Sequence, residues 1–404
     1  MIVKIEKGRA KGKISAPPSK SMAHRLIISA SMANGKSRIS DISDCEDVEA
    51  TLECLSALGV TAQRDGRDVI ISGIDMRSAS ATSSLFCNES GSTLRFLLPI
   101  ALLSGKTVMF RGKAGLMRRP MDVYEKLCRE KELVYLSDGD SITVKGPIEG
   151  GDFSVPGNVS SQFISGLIFA LPIQQKDTRI RITPPIESRS YIDMTLASVR
   201  MFGIRAEWED EHTLFIPGGQ TYTACDVRVE GDYSGAAFPE AFNLLGGDVE
   251  VSGLDRDSLQ ADKIYRKYYD LINNGIPTIH IGDCPDLGPI LFALAAAKCG
   301  AVFTGTRRLK IKESDRAAAM AEELKKFGSY VSVYDDKVVV YPKEFNSPTE
   351  RLDGHRDHRI VMALSVLLSL VGGEISGAEA VSKSYPAFFD DVRSLGIEVK
   401  EYEA

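Results

Sequence analysis

Lys20, Arg25 and Arg359 are cations set in short polar runs just ahead of apolar stretches, a pattern suited to holding phosphates and carboxylates. Six such runs recur along the chain. They read Pro18-Ser19-Lys20-Ser21-Met22-Ala23-His24-Arg25, Glu89-Ser90-Gly91-Ser92-Thr93-Leu94-Arg95 and Val159-Ser160-Ser161-Gln162 in the first half. In the second half they read Asp232-Tyr233-Ser234-Gly235, Pro285-Asp286-Leu287-Gly288 and Arg356-Asp357-His358-Arg359. A helix start presents unpaired N–H groups and a partial positive charge, so Ser, Lys and Arg placed there make an anion site. Each Ser, Thr or Asp taken alone reads first as a simple N-cap. Capping does not explain Lys20, Arg25 or Arg359, because a cation at a helix start opposes the dipole unless an anion is present.

A second set of charges lies in loops that follow short strands. These are Leu116-Met117-Arg118-Arg119-Pro120, Glu187-Ser188-Arg189-Ser190-Tyr191, Lys310-Ile311-Lys312-Glu313-Ser314-Asp315-Arg316 and Ser382-Lys383-Ser384-Tyr385-Pro386. One charged loop is ordinarily a solvated face, but these recur at matching points of a repeat.

The repeat supplies the elements that position them. Small-residue-rich apolar helices are predicted at 25–33, 94–103, 163–173, 236–245, 290–298 and 360–371, each followed by a turn and a strand. Amphipathic second helices run out at Gly59, Lys131, Gly203, Gly275, Gly328 and Gly396, giving a period of about 70 residues with one copy of about 53. Tight turns at Asp65-Gly66, Asp138-Gly139, Glu209-Asp210-Glu211 and Asp335-Asp336 join alternating runs into hairpins. A period this long with mixed elements implies compact α/β units in closed domains rather than an open solenoid. Six copies then imply two domains of three.

The chain is 43% hydrophobic and 26% charged, an ordinary globular composition. Its net charge of −6 argues against a nucleic-acid binder that relies on bulk positive charge, and 7% aromatics against a single-strand stacking platform. Seven cysteines with no C-x-x-C pair read as reduced thiols of a cytoplasmic protein. The opening Met1-Ile-Val-Lys-Ile-Glu-Lys reads as a strand rather than a signal peptide, and the apolar stretch 290–297 is too short to span a bilayer, so no membrane role is expected. His355 and His358 invite a metal reading, but only five histidines exist and spacing supplies no third ligand, so no metal is expected.

Read together, Pro-Ser-Lys-Ser-x-x-x-Arg at 18–25, Gly-Ser-Thr-x-Arg at 91–95, Arg119-Pro120, Ser160-Ser161-Gln162, Lys312-Glu313-Ser314-Asp315-Arg316 and Asp357-His358-Arg359 give the chain its resemblance. It resembles the 3-phosphoshikimate 1-carboxyvinyltransferases, or EPSP synthases, of the enolpyruvyl transferase family over nearly its whole length. The resemblance implies an α/β (α+β) fold, a two-domain inside-out α/β barrel with three βαβαββ units per domain. The domains would be 1–14 plus 229–404, with the N-terminal strand joining the C-terminal repeats, and 15–228. The implied reaction moves the enolpyruvyl group of phosphoenolpyruvate to the 5-hydroxyl of shikimate 3-phosphate and releases phosphate. No cofactor, metal or nucleic acid takes part, and a monomer is expected. Inhibition by glyphosate is implied too, since Gly91 lacks the extra methyl of Ala.

By motif position, Ser21 and Arg25 would hold the shikimate carboxylate, and Ser160, Ser161, Ser188 and Lys312 its 3-phosphate, with Gln162 and Tyr191 nearby. Arg316 and Arg359 would clamp the phosphoenolpyruvate carboxylate. Lys20, Arg119 and Lys383 would bind its phosphate beside the Gly91 turn, with Gln162 in reach. Asp286 and Lys20 are the candidates beside the reacting hydroxyl, and Glu313, supported by His358, for proton transfer at carbon. Two positions depart from familiar members: Glu89 and Arg308 stand where Asn is common. Two other readings remain. A UDP-sugar enolpyruvyl transferase often carries a catalytic Cys, for which no motif is evident here. A non-catalytic phospho-ligand sensor would bind without turnover.

Overall fold

The computed structural model describes residues 1–79, 84–341 and 345–403. The chain divides into two compact units, Met1–Pro17 with Gly231–Ala404, and Pro18–Glu230. Each has its own hydrophobic core.

The unit Pro18–Glu230 holds three copies of one arrangement. The second copy runs strand Ser84–Phe86, helix Gly91–Ala101, strand Thr107–Arg111, helix Asp122–Glu130 and the hairpin Val134–Ser137 with Ser141–Lys145, which is βαβαββ. The third repeats it from Asp152–Pro156 to Thr213–Ile216. In both, the strand before the first helix pairs parallel with the strand after it, and the hairpin extends the sheet antiparallel. The first copy borrows its leading strand: Val227–Arg228, at the end of the unit, pairs parallel with Lys36–Ser40.

The other unit closes on itself in the same way. Ile2–Ile5 lies between Gly373–Ser376 and Val399–Tyr402, where a hairpin strand would stand, and Lys11–Ser15 is the leading strand for Asp248–Ser252. The short interval between Gly275 and Gly328 is explained by a missing hairpin, since helix Tyr265–Asn273 passes directly to strand Thr278–His280. The α/β class holds, but "barrel" is corrected: among the described residues the sheets are open, with four strands or two.

Composition decides which helices go inside. Helix Gly288–Ala297, apolar on every side, is buried from Gly288 through Ala296 and packs on Tyr233–Ala241 and His358–Val371. Helix Asp122–Glu130 buries only Val123, Tyr124, Leu127 and Cys128, one stripe at i, i+1, i+4 and i+5, and turns its charges to water. The first helices begin earlier than their apolar runs predict: Lys20–Ser31, Gly91–Ala101, Ser161–Ala170, Tyr233–Ala241, Gly288–Ala297 and His358–Val371. The polar motifs are therefore first turns, held by side-chain caps from Ser19, Ser90, Ser160, Asp232 and Asp357.

Candidate active site

In the unit Pro18–Glu230 the Ser19 hydroxyl accepts from the Met22 N–H at 3.3 Å, which sets Lys20 as the first helical residue. The Lys20 ammonium donates to Asp47 Oδ2 at 2.8 Å, both side chains being largely buried. One turn on, Arg25 is 2% exposed. Its Nε donates to Thr195 Oγ1 at 2.9 Å, Nη1 to the Ser21 carbonyl at 2.6 Å and Nη2 to the Tyr191 carbonyl at 2.9 Å. The guanidinium lies 5.2 Å from the Phe96 ring centre and 5.8 Å from that of Tyr191. Burial lowers its pKa to about 10. None of these partners is a carboxylate, and a charge so buried is costly until an anion joins it.

The second helix start carries a close approach. A Cβ on Gly91 would stand 2.9 Å from Arg119 Nη1 and 3.6 Å from Gln162 Oε1, so the Arg119 guanidinium lies against bare backbone. Gln162 is fixed at both ends, accepting from Arg95 Nη1 at 2.8 Å and donating to Ser92 Oγ at 2.9 Å. The buried Ser160 caps the third helix by accepting from the Gln162 N–H at 3.3 Å, with buried Ser161 next to it. Ser188 is buried in a left-handed conformation, φ +57°, and its carbonyl accepts from the Tyr191 N–H at 3.1 Å. A hydrogen-bonded line connects the helices underneath: His24 Nδ1 with Thr51 Oγ1 at 2.8 Å, Thr51 with Thr93 Oγ1 at 2.6 Å, and Thr93 Oγ1 to Ser90 Oγ at 2.7 Å.

In the other unit the charges are denser. Arg316, 1% exposed, donates through Nη1 to Asp286 Oδ1 at 2.6 Å, through Nη2 to Glu313 Oε2 at 2.7 Å and through Nε to Asp357 Oδ2 at 2.9 Å. Lys312 Nζ stands 3.2 Å from Asp286 Oδ1, and Arg359 Nη2 stands 3.8 Å from Oδ2. Arg359 also donates to the Ser234 carbonyl at 2.8 Å, and Lys383 Nζ to the Arg356 carbonyl at 2.7 Å. His358 is buried with Nδ1 3.9 Å from Asp357 Oδ1. Burial pushes Asp286 up, but Lys312, Arg316 and Arg359 outweigh it and hold its carboxyl well below the usual range. Burial lowers Lys312, Asp286 opposes that, and neighbouring Arg316 and Arg308 add to the lowering. Arg308 is itself buried, donating to the Gly282 carbonyl at 3.3 Å.

Each unit thus gathers its own set of cations and hydroxyls on helix starts and the loops beside them. A family model described as EPSP synthase (3-phosphoshikimate 1-carboxyvinyltransferase) matches residues 5–392. The chain belongs to the EPSP synthase family. The 3-phosphoshikimate 1-carboxyvinyltransferase of Clostridium kluyveri is 37% identical over 423 aligned positions, covering 99% of this chain and 98% of the relative. That of Clostridium acetobutylicum is 38% identical with the same coverage, 99% and 98%. An EPSP synthase structure from Acinetobacter baumannii superposes with a TM-score of 0.80 at 23% identity, covering 99% of this chain and 100% of the other. The enolpyruvyl transferase NikO from Streptomyces tendae gives 0.77 at 15% identity, covering 99% and 98%. These two likenesses speak for the fold alone.

Apart from Lys20, held by Asp47, and Lys383, on the Arg356 carbonyl, the sequence-predicted residues fall into three groups. Ser21, Arg25, Ser188 and Tyr191 form one bonded line; Gly91, Arg119, Ser160, Ser161 and Gln162 lie around the second and third helix starts; Asp286, Lys312, Glu313, Arg316 and Arg359 form one charged cluster with His358 at its edge. Sequence reasoning missed two carboxylates that fix the cations. Asp47 holds Lys20, and Asp357 both caps its helix and pairs with Arg316. Asp357 carried a signal, since it stands inside the Asp-His-Arg motif. Asp47 carried none, because Glu46, Asp47 and Glu49 look like acids that merely complement a helix dipole.

Proposed function

We propose that this chain transfers the enolpyruvyl group of phosphoenolpyruvate to the 5-hydroxyl of shikimate 3-phosphate. The observation that carries the reading is Arg25, a family-motif cation buried against neutral acceptors only. Ser21 and Arg25 take the shikimate carboxylate, while Ser160, Ser161, Ser188 and Lys312 take the 3-phosphate, with Gln162 and Tyr191 alongside. Arg316 and Arg359 clamp the phosphoenolpyruvate carboxylate by paired hydrogen bonds, a geometry for which Lys is a poor substitute. Lys20, Arg119 and Lys383 hold its phosphate.

The reaction is an addition followed by an elimination. The 5-hydroxyl, with the Lys20 ammonium beside it, loses its proton to Asp286 and its oxygen bonds to C2 of phosphoenolpyruvate, while protonated Glu313 delivers a proton to the C3 methylene. The resulting tetrahedral adduct then returns a methyl proton to Glu313, restores the double bond and expels phosphate, which carries away the proton that Asp286 took from the hydroxyl. Asp286 is a weak base while three cations surround it. A substrate carboxylate on Arg316 and Arg359 withdraws two of them, so Asp286 gains basicity when phosphoenolpyruvate is in place. His358 supports Glu313.

Glu313→Gln keeps the acceptor oxygen facing Arg316 but cannot shuttle a proton. The variant is expected to release no phosphate and yet to bind shikimate 3-phosphate as tightly as wild type by calorimetry. Full turnover in it removes Glu313 from the mechanism. The chain acts as a monomer in this reading, and seven free cysteines support a reducing cytoplasm.

A further inference from the structure

The turn that delivers Asp357, His358 and Arg359 is built on two consecutive side-chain-bearing residues in left-handed backbone, His355 (φ +48°) and Arg356 (φ +55°). That region is disfavoured wherever a Cβ is present, so neighbouring bonds must hold the pair there. The turn matters to the site at three points: the Arg356 carbonyl receives Lys383 Nζ, the Asp357 carboxylate receives Arg316, and the Arg359 guanidinium approaches Asp286.

What holds it is a carboxylate on another element. Glu323, fully buried, stands two turns along the helix that begins with Arg316. Its Oε1 faces His355 Nε2 at 3.0 Å and accepts from Lys326 Nζ at 3.0 Å, while Oε2 accepts from the Asp353 N–H at 3.0 Å. Asp353 Oδ1 in turn accepts from the His355 N–H at 2.7 Å. Glu323 therefore grips the turn before and at the first left-handed residue, from the helix whose first residue is the cation of the site.

We propose that Glu323 and His355 are positioning residues that lock the 355–356 turn and thereby set Lys383, Asp357 and Arg359 for phosphoenolpyruvate. The proposal rests on the assignment of those groups to phosphoenolpyruvate. The charged groups around the His355 ring are Glu323 and Glu322 from the helix and Asp353 from its own segment, with Lys326 of the same helix on Glu323; one ring nitrogen and one oxygen of each Glu carboxylate lie within 4.8 Å of one another. The hydrogen bond to Glu323 raises His355 above its ordinary value, against the lowering effect of burial, with Glu323, Asp353 and Glu322 adding to the rise. Protonation of His355 adds charge to its bond with Glu323, so this extra grip is complete at low pH and is lost as pH rises through that raised value, leaving the neutral ring only its Nε2–H bond.

His355→Asn tests this, because Asn tolerates left-handed backbone but is too short to reach Glu323. Its KM for phosphoenolpyruvate is expected to rise about tenfold, with that for shikimate 3-phosphate changed by less than about twofold. His355→Gln, whose amide can still donate to Glu323, is expected to recover most of the loss at neutral pH. In wild type, KM for phosphoenolpyruvate climbs with pH as His355 titrates, and both variants lack that component. An unchanged KM in His355→Asn, equal rises in both KM values, or superimposable pH profiles would overturn the proposal. A wild-type protein that does not turn over the two substrates overturns the reaction itself, a result distinct from a variant that behaves as wild type.

Discussion

Gly91 shows how little room the site leaves at the level of one residue. The 2.9 Å between its missing Cβ and Arg119 Nη1 is closer than side-chain carbons come to neighbours, so a methyl group there displaces the guanidinium. A charge-assisted hydrogen bond is worth roughly 1.5–3 kcal/mol, so Gly91→Ala is expected to raise KM for phosphoenolpyruvate at least about tenfold and leave that for shikimate 3-phosphate alone. Glyphosate at millimolar concentration is expected to inhibit wild type, and less of that inhibition is expected to survive in the variant. Steady-state kinetics with each substrate varied in turn checks this, and an unchanged KM contradicts it. At this scale the cations were legible and their keepers were not. Lys20, Arg25 and Arg359 stand out because a helix start gives them no reason to be there without an anion. Asp47, Asp357 and Glu323 look in sequence like a dipole acid, a cap and an exposed i,i+3 partner; only the fold shows each of them buried against a cation.

Among elements, the helix starts of the unit Pro18–Glu230 are tied together through His24, Thr51, Thr93 and Ser90. Burial dominates the His24 ring and lowers its pKa from 6.5 to about 3; Asp47 opposes this, while Lys20 and Arg25 add to it. The sign follows from linkage. The unfolded chain takes up a proton near 6.5 and the folded one does not, so stability present above that value is lost as pH falls toward 3. The loss approaches about 1.4 kcal/mol per pH unit. Urea unfolding between pH 7 and pH 4 is expected to show that slope in wild type and a shallower one in His24→Gln; equal slopes contradict it. Element order was legible because hairpin turns and apolar helices each leave a local signal. Helix starts were read about two to five residues late, since Ser19, Lys20 and their counterparts look like loop until their caps are seen. The absent hairpin after Gly275 was visible only as a short interval.

For the whole molecule, the repeat count followed from sequence because each copy writes the same order of signals. The return of Val227–Arg228 to the first copy's sheet did not, since no local pattern marks such a partner, and the place of the N-terminal strand among the C-terminal repeats came from the family resemblance alone. The charge arrangement belongs to this scale as well. Two substrates bring roughly five to six negative charges to a chain whose own net charge is −6. Binding therefore depends on cations concentrated at helix starts rather than on overall charge. The measurement that tests this account most directly is phosphate release from phosphoenolpyruvate, with no metal added, in the presence and absence of shikimate 3-phosphate and with UDP-N-acetylglucosamine in its place. Release only when phosphoenolpyruvate and shikimate 3-phosphate are both present is the predicted result; no release with that pair, or equal release with the UDP-sugar, would contradict it.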